Sequence, residues 1–353
     1  MNTALGYAAI AKTGQGHMKN RAQTRGNLFK ARWLGALTGA AMISLAPVYA
    51  HAQSAQPPIP NKAALSGPNV AGYNWGYNGY PFVSWLDMVS ASQAAQPSWM
   101  TPLVTVTPRL EQEFRFDFYD QQNGKGSQGN GQHIYNYGGP GGPRVEFIPA
   151  YDWEVILAAQ PYETATGPKG TAEGNGDWPA FLVKYRIASA NEQNGNYIVT
   201  GFFQMSDPGG TAGKISNNVL VAQPTLAFGK GWGDFDIQMT LSQQYPVSAI
   251  GAGASATMTA FGDPILWNTT FQYHLLQYFW PELEVNYEYW PNGEHAGLNQ
   301  VLLTPGIIFG RFKIWQDSAT RPVNLIVGAG YQVAVTPNPV TQNNVVATFR
   351  ITF

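Results

Sequence analysis

The sequence predicts an all-β chain: a transmembrane, antiparallel, up-and-down β-barrel of about 12 strands behind an N-terminal signal peptide. Three observations predict it: an amphipathic C-terminal strand that ends on an aromatic residue, an N-terminus laid out as an export signal, and an unusual composition. Charged residues make up 12% of the chain and aromatic residues 13%, at a mean hydropathy of −0.20. Few charges, many aromatics and moderate hydropathy are typical of a barrel that is apolar outside and polar inside.

Residues 1–52 are predicted to be a secretory signal peptide. The first 32 residues carry basic but no acidic side chains, and an uncharged stretch rich in Leu, Ala and Gly follows from Trp33 to Val48. Ala50-His51-Ala52 then supplies a small-x-small cleavage pattern. The apolar stretch is shorter than the ~20 residues that a membrane-spanning helix needs. Translation starting at Met18 instead of Met1 would give a signal of ordinary length, and the sequence leaves both starts open.

Loss of this signal leaves an acidic chain. The whole sequence has 20 Lys and Arg against 21 Asp and Glu; six of the basic residues lie in the signal, so 14 remain against 21, a formal charge of −7. Nucleic acid is excluded as a partner, because a polyanion needs a basic face. The chain has no cysteine, which excludes a disulfide framework and cysteine-based metal sites.

After the signal, residues 53–100 differ in character from residues 101–353. The first region opens with Pro, Gln and Ala, packs four aromatic residues into positions 73–80, and contains a segment, Phe82–Ala95, that fits a short helix. We interpret it as an N-terminal extension that is a periplasmic linker, a plug of the lumen or a surface-adsorbed segment. Residues 101–353 are predicted to form the outer-membrane barrel.

Strand-like alternation of apolar and polar residues recurs through the barrel region. The clearest case is the C-terminus, where Val345, Ala347, Phe349, Ile351 and Phe353 share one face. The predicted strands are Leu110–Tyr119, Arg144–Ala150, Trp153–Pro161, Trp178–Ile187, Tyr197–Met205, Asn218–Phe228, Phe235–Tyr245, Ile265–His274, Glu282–Trp290, Val301–Phe309, Val323–Gln332 and Val345–Phe353. The Gly-rich stretch Gln121–Gly142 is predicted to be an extracellular loop. Ten or fourteen strands remain open as alternatives.

If the aromatic faces of these strands meet lipid, their polar faces line the lumen, since carboxylates in hydrocarbon are costly. The candidate lumen and selectivity residues are Glu113, Arg115, Asp117, Lys184, Arg186, Asp236, His274, Glu282, Glu284, Glu288 and Arg350. The three glutamates of the strand 282–290 have two interpretations: a cation-favouring constriction, or ion pairs with Lys184, Arg186 or Arg350. The aromatic residues Trp267, Tyr273, Tyr278, Trp280, Tyr287, Tyr289 and Trp290 are expected in the interface girdle.

The alternation fails at one place. Continued past Phe309, it would point Arg311 and Lys313 at lipid. We therefore predict either a β-bulge near Gly310 or a strand that has already left the membrane.

Several segments resemble the outer-membrane channel family named "MetA-pathway of phenol degradation". The segments that carry the resemblance are Gly176–Arg186 (GDWPAFLVKYR), Pro281–Glu288 (PELEVNYE), Leu303–Gly306 (LTPG), Gly328–Gly330 (GAG) and the terminal Phe353. The resemblance covers about residues 145–353 and leaves out the Gly-rich stretch and residues 53–100. It implies an outer-membrane barrel with a transport role and says little about the solute.

No G-x-S-x-G, H-E-x-x-H or P-loop motif is present, so we expect no enzyme activity, no cofactor and no metal. The expected function is passive uptake of small solutes, aromatic or hydrophobic ones among them, across the Gram-negative outer membrane. The alternative is a non-transporting structural or surface-interaction barrel with a plugged lumen. Expected partners are outer-membrane lipid, a small-molecule solute and the barrel assembly machinery, which would read Phe353 as its signal.

Overall fold

A computed structural model of the chain describes residues 81–124, 130–210, 218–251, 253–315, 322–337 and 339–353. The predicted signal peptide and residues 53–80 lie outside the described residues. The helices are α1 (Pro81–Ala94) and α2 (Ala254–Phe261). The strands are β1 (Glu113–Gly124), β2 (Gln132–Gly138), β3 (Arg144–Ala150), β4 (Trp153–Ala158), β5 (Tyr162–Gly167), β6 (Gly170–Asn175), β7 (Trp178–Ala190), β8 (Tyr197–Asp207), β9 (Val219–Trp232), β10 (Phe235–Gln243), β11 (Tyr245–Ala249), β12 (Ile265–Tyr273), β13 (Phe279–Tyr289), β14 (Asn299–Trp315), β15 (Val323–Ala334) and β16 (Asn343–Thr352). In this part of the chain no helix has the length and apolar character needed to cross a membrane.

Twelve of these strands close into a ring in which every neighbouring pair is antiparallel. The order around it is β1, β3, β4, β7, β8, β9, β10, β12, β13, β14, β15 and β16, and β16 pairs again with β1. The closing pair keeps one register from Glu113 opposite Thr352 to Gln122 opposite Asn343. Closure leaves no open edge strand among these twelve, which is what hydrocarbon requires of a β-structure. The predicted antiparallel barrel of about 12 strands is confirmed.

Four shorter strands lengthen the wall. The start of β1 pairs with β3 and its later part with β2, while β2 pairs with β5 and β5 with β6. β11 likewise continues β10 along β9. The prediction of a loop over 121–142 was therefore wrong: β1 runs to Gly124 and β2 begins at Gln132. Glycines around β2 hide its alternation, but β1 and β5 supply hydrogen-bond partners on both sides.

The two ends of the barrel differ. At the short-turn end, two residues join β3 to β4 and two join β9 to β10, and both Glu113 and the C-terminus lie there. Longer connections, such as the one that contains α2, lie at the opposite, loop end. The register of β14 against β15 shifts between Phe309 and Phe312, so the predicted bulge near Gly310 is confirmed.

The outer face is strongly apolar. Large exposed side chains on it include Leu157, Ile187, Leu226, Leu241 and Leu283, and the aromatic residues Trp267, Tyr273 and Tyr278 are exposed as expected for a girdle. Trp280 and Trp290 are exceptions, with only 7% and 5% of their surface exposed. They share the even-numbered parity of Glu282 and Glu288, which faces inward, so their assignment to the girdle was wrong.

Candidate functional site

The lumen brings together nearly all of the residues predicted from the sequence. Ten of them face inward and are at most 6% exposed: Glu113, Arg115, Asp117, Lys184, Arg186, Asp236, Glu282, Glu284, Glu288 and Arg350. His274 lies just beyond β12 at the short-turn end, where its ring stacks on Trp280 with the ring centroids 3.9 Å apart. Phe353 lies at the same end, and its backbone N–H donates to the carbonyl of Gln112 at 3.1 Å.

A further piece of chain, residues 96–112, lies inside the ring; we call it the lumen segment. Its hydrogen bonds reach strands around much of the wall: the side chains of Gln238, Thr200 and Lys184 donate to the carbonyls of Met100, Pro108 and Arg109, and the N–H of Glu111 donates to Glu154. Leu103, Thr105 and Leu110 are fully buried. Only a position within the lumen allows one short segment to contact β4, β7, β8 and β10 together.

Helix α1 leads into this segment across the short-turn end. The indole N–H of Trp85 donates to the carbonyl of Ile148 at 2.8 Å, and the hydroxyl of Ser92 donates to the carbonyl of Tyr151 at 2.6 Å. The guanidinium of Arg186 donates to the carbonyl of Ser92 at 2.6 Å. The amide of Gln96 then bonds both backbone groups of Leu110, at 2.8 and 2.9 Å, which joins the two ends of the segment.

Two glutamates of β13 hold the middle of the segment through its backbone. Glu282 accepts from the N–H of Leu103 at 3.0 Å. Glu284 accepts from the N–H groups of Val104 and Thr105 at 2.7 and 2.6 Å. Hydrogen bonds to a charged acceptor are stronger than neutral ones, so these carboxylates fix residues 103–105 against the wall.

Two arginines hold the carbonyls of the same stretch. Arg350 donates to the carbonyls of Thr101 and Pro102 at 2.5 and 2.6 Å, and Arg115 donates to that of Leu103 at 2.7 Å. Backbone donors of the segment therefore meet carboxylates and backbone acceptors meet guanidinium groups. Neither interpretation of the β13 glutamates anticipated this, since both considered only side chains and solutes.

A network of ion pairs covers the wall of β1, β3, β4 and β7. Arg115 bonds Asp117 at 2.8 Å, and Arg144 lies 3.3 Å from Asp117 and 2.8 Å from Glu146. Further along, Lys184 lies 2.9 Å from Glu154, and both side chains are fully buried. These side chains neutralise one another within the wall, which is how buried charges are tolerated.

The bulge at Gly310 changes the direction of Arg311. Its guanidinium donates to the carbonyls of Ser98 and Trp99 at 2.9 and 3.0 Å, so it holds the lumen segment instead of facing lipid. Lys313, two residues on, is exposed. The shift of register thus resolves, for Arg311, the conflict that strict alternation produced.

Part of the lumen is apolar. Met100, Leu103 and Val104 of the segment pack in one cluster with inward-facing wall residues, namely Tyr119, Trp280, Ile308, Ile326 and Val346. A small cleft of about 20 Å³, roughly the room for one water molecule, lies against the ion-paired wall. It is lined by Thr107, Arg144, Glu146 and Lys184, and also by Val104 and Tyr119 of the apolar cluster. We call the first cluster the apolar flank of the lumen and the ion-paired side the charged flank. The charged flank also carries a smaller apolar cluster, Ile156, Leu182, Phe202 and Ala227, which packs against Val106 of the segment.

The sequence did not identify the lumen segment or the partners Arg144, Glu146 and Glu154. Residues 101–112, which the sequence groups with the barrel, precede its first strand at Glu113. Prolines at 97, 102 and 108 are a signal that was available, because proline does not fit a central strand. Among the described residues, no group of three or more His, Asp or Glu is arranged to hold a metal ion.

Comparison with known proteins gives only distant likenesses. No protein-family model and no curated protein matches the chain. The solved structures that it resembles include an outer membrane channel from Pseudomonas putida F1 (TM-score 0.43, 10% identity, covering 68% of this chain and 94% of that one). Others are the NanC porin (TM-score 0.40, 9% identity, 69% and 98%) and Salmonella typhi OmpF in complex with daunomycin (TM-score 0.30, 7% identity, 68% and 96%). Likenesses this weak decide neither family nor function.

Proposed function

We propose that this protein is a channel of the Gram-negative outer membrane that admits small solutes through a lumen narrowed by its own N-terminal segment. One observation carries the proposal: within a closed ring, large apolar side chains face outward while charged and amide side chains face inward. Such an outer face needs lipid, and such a lumen offers a polar route through it.

Small aromatic or other weakly polar molecules are the solutes that we propose. The support is the apolar cluster on β13 to β16, where Trp280, Ile308, Ile326 and Val346 face into the lumen and pack against the lumen segment. A solute with an apolar body and a polar group would contact this flank and the charged flank at the same time. Neither flank by itself selects such a molecule.

Export and assembly belong to the same proposal. Residues 1–52 would direct the chain across the inner membrane, and the C-terminal strand would engage the barrel assembly machinery through Phe353. β16 is the strand that closes the ring against β1, so recognition of its end would couple delivery of the last strand to closure of the barrel in outer-membrane lipid.

A second candidate function is a structural or surface-interaction barrel that transports nothing. The observation that favours it is the filling of the lumen: the segment is bonded to β4, β7, β8, β10, β13 and β16. If this segment never moves, the small cleft beside it leaves no room for a solute larger than water.

Conductance separates the two functions. Residues 53–353, refolded and shown by heat-modifiable migration to be folded, would be inserted into planar bilayers. We expect small discrete steps, and larger ones when Glu284→Gln weakens the hold on the segment. A folded barrel that gives no steps in either form would contradict the channel function.

The solute class needs its own measurement. With benzoate on one side of the bilayer and acetate on the other, the reversal potential gives their relative permeability. We expect benzoate to permeate at least as well as acetate despite its larger size, because its ring can contact the apolar flank. A permeability well below that of acetate would rule out the aromatic class while leaving the channel function intact.

A further inference from the structure

Three glycines of the wall lie directly against one side chain of the lumen segment. They are Gly306 in β14, and Gly328 and Gly330 in β15. A Cβ atom added to them would lie 2.5, 2.9 and 2.9 Å from the methyl groups of Leu103. Real Cβ atoms do not approach other atoms this closely, so Leu103 occupies space that exists only because these positions are glycine. Leu103 is fully buried there.

A similar arrangement exists on β9, part-way around the ring. A Cβ on Gly229 would overlap the indole ring of Trp99. One on Gly231 would lie 2.6 Å from the indole nitrogen and closer still to the side chain of Asn196, which precedes β8. Trp99 is 4% exposed. The segment is thus fitted into the wall at two places, through an apolar side chain each time.

Backbone conformation does not explain these glycines. None of the five has a positive φ, unlike the turn glycines Gly131, Gly170 and Gly233. Glycine within a strand weakens it, because it loses the most conformational freedom and has no side chain to pack. Five such positions opposite two side chains indicate that close approach of the segment is what the wall is shaped for.

We propose that these glycines form two seats, one for Leu103 and one for Trp99, and that occupation of the Leu103 seat is what keeps the segment in the closed position. The seat acts through shape. With Leu103 seated, the backbone at 103–105 lies within hydrogen-bond reach of Glu282 and Glu284. A methyl group in the seat would lift the segment and lengthen those bonds at the same time.

Thiol labelling tests this without relying on conduction, so its failure is separate from a failure of the proposed function. The chain has no cysteine, and Val104→Cys would place a single thiol beside Leu103 at a site that is 5% exposed. In this background we expect slow reaction with a water-soluble maleimide. Gly328→Ala or Gly330→Ala should speed it by about tenfold or more, the change that one excess methyl group commonly causes.

Restoring the space should cancel the effect. Leu103→Ala removes most of the side chain that the added methyl would strike, so Gly330→Ala combined with Leu103→Ala should label no faster than Leu103→Ala does by itself. Additive acceleration would overturn the proposal, because contacting groups are expected to couple and independent ones to add.

The matched control is Gly201→Ala, a strand glycine whose added Cβ would meet only Ile187, at an ordinary 3.8 Å. It should label as slowly as the parent. Equal rates for Gly201→Ala, Gly328→Ala and Gly330→Ala would also overturn the proposal. If a wall variant does not fold, Leu103→Phe overfills the same seat from the side of the segment, and it should accelerate labelling in the same way.

Discussion

The two sides of the lumen use buried charge differently. On β1, β3, β4 and β7, which we call the ion-paired wall, cations and carboxylates of neighbouring strands neutralise one another, as Arg144 does with Asp117 and Glu146. On β13, which we call the segment-binding wall, Glu282 and Glu284 accept backbone N–H groups of the lumen segment instead. Similar residues thus stabilise the barrel on one side and hold its contents on the other. Substitutions on the ion-paired wall should therefore lower the stability of the barrel, and those on the segment-binding wall should loosen the lumen segment.

The largest effect is expected on the ion-paired wall. Lys184→Met would leave the fully buried carboxylate of Glu154 without its cation, which costs about 3–5 kcal/mol in comparable pairs. Urea unfolding, followed by heat-modifiable migration in lipid or detergent, should show the barrel itself destabilised. Lys169→Met, in the exposed turn between β5 and β6, is the control. Lys184→Met combined with Glu154→Leu should recover most of the loss; no recovery would mean that the pair is not the cause.

The next effect is expected on the segment-binding wall. Glu284→Gln keeps one acceptor oxygen for two backbone donors. The hydrogen bonds that hold the segment should therefore weaken by up to about 1.5–3 kcal/mol, the contribution of a charge-assisted bond. Larger conductance steps and faster labelling of Val104→Cys should follow, with little change in unfolding by urea. Glu282→Gln should act in the same direction but less, because Glu282 accepts only one backbone N–H of the segment, that of Leu103, besides the side-chain amide of Gln272. If Glu284→Gln destabilised the barrel as much as Lys184→Met does, the two walls would not differ in function.

A smaller effect is expected at the bulge. Arg311→Met removes two hydrogen bonds to the carbonyls of Ser98 and Trp99, at roughly 1 kcal/mol or more for each. The start of the lumen segment should loosen, seen as faster labelling of a thiol at Met100→Cys, a position that is 1% exposed. Lys313→Met, in the exposed part of β14, should leave labelling unchanged. If Arg311→Met and Lys313→Met give the same labelling rate, Arg311 does not hold the segment in place.

The smallest effect is a dependence on pH at the short-turn end. Burial by itself would raise the pKa of Glu192, but hydrogen bonds from the hydroxyl and N–H of Ser98 hold this pKa below its ordinary value. A lowered pKa in the folded state stabilises at higher pH, and this contribution is lost as the pH falls through the lowered pKa. Amide hydrogen exchange near Ser98, corrected for the intrinsic pH dependence of exchange, should therefore quicken modestly in acid, and Glu192→Gln should remove that change. Persistence of the acid response in Glu192→Gln would assign it to another group.

Alternation of residue type explains how much of the site could be predicted. Glu113, Arg115, Asp117 and Arg350 were placed in the lumen because a strand has a period of two and carboxylates avoid lipid. The partners of those residues were not predictable, because neighbours across a sheet are set by pairing and register. Glu146 lies opposite Glu113 only because β3 pairs with the start of β1, and nothing local in the chain fixes that.

The failures have similar causes. β2 was taken for a loop because its flanking glycines and mixed faces give no local pattern. Trp280 and Trp290 were assigned to lipid by residue type, although parity with Glu282 and Glu288 turns them inward. Alternation alone pointed Arg311 at lipid. The register shift between Phe309 and Phe312 shows how its side chain reaches the lumen segment instead.

The sequence by itself determined an all-β barrel of about 12 strands, its polar and apolar faces, and a break in the alternation near Gly310, because periodicity and residue polarity are local properties. Only the tertiary structure decided what occupies the lumen. Residues 96–112 carry no period that marks them as lumen-filling, and the five glycines that receive Leu103 and Trp99 are far from them in the chain. A fit between distant segments depends on three-dimensional shape, which emerges once the ring has closed.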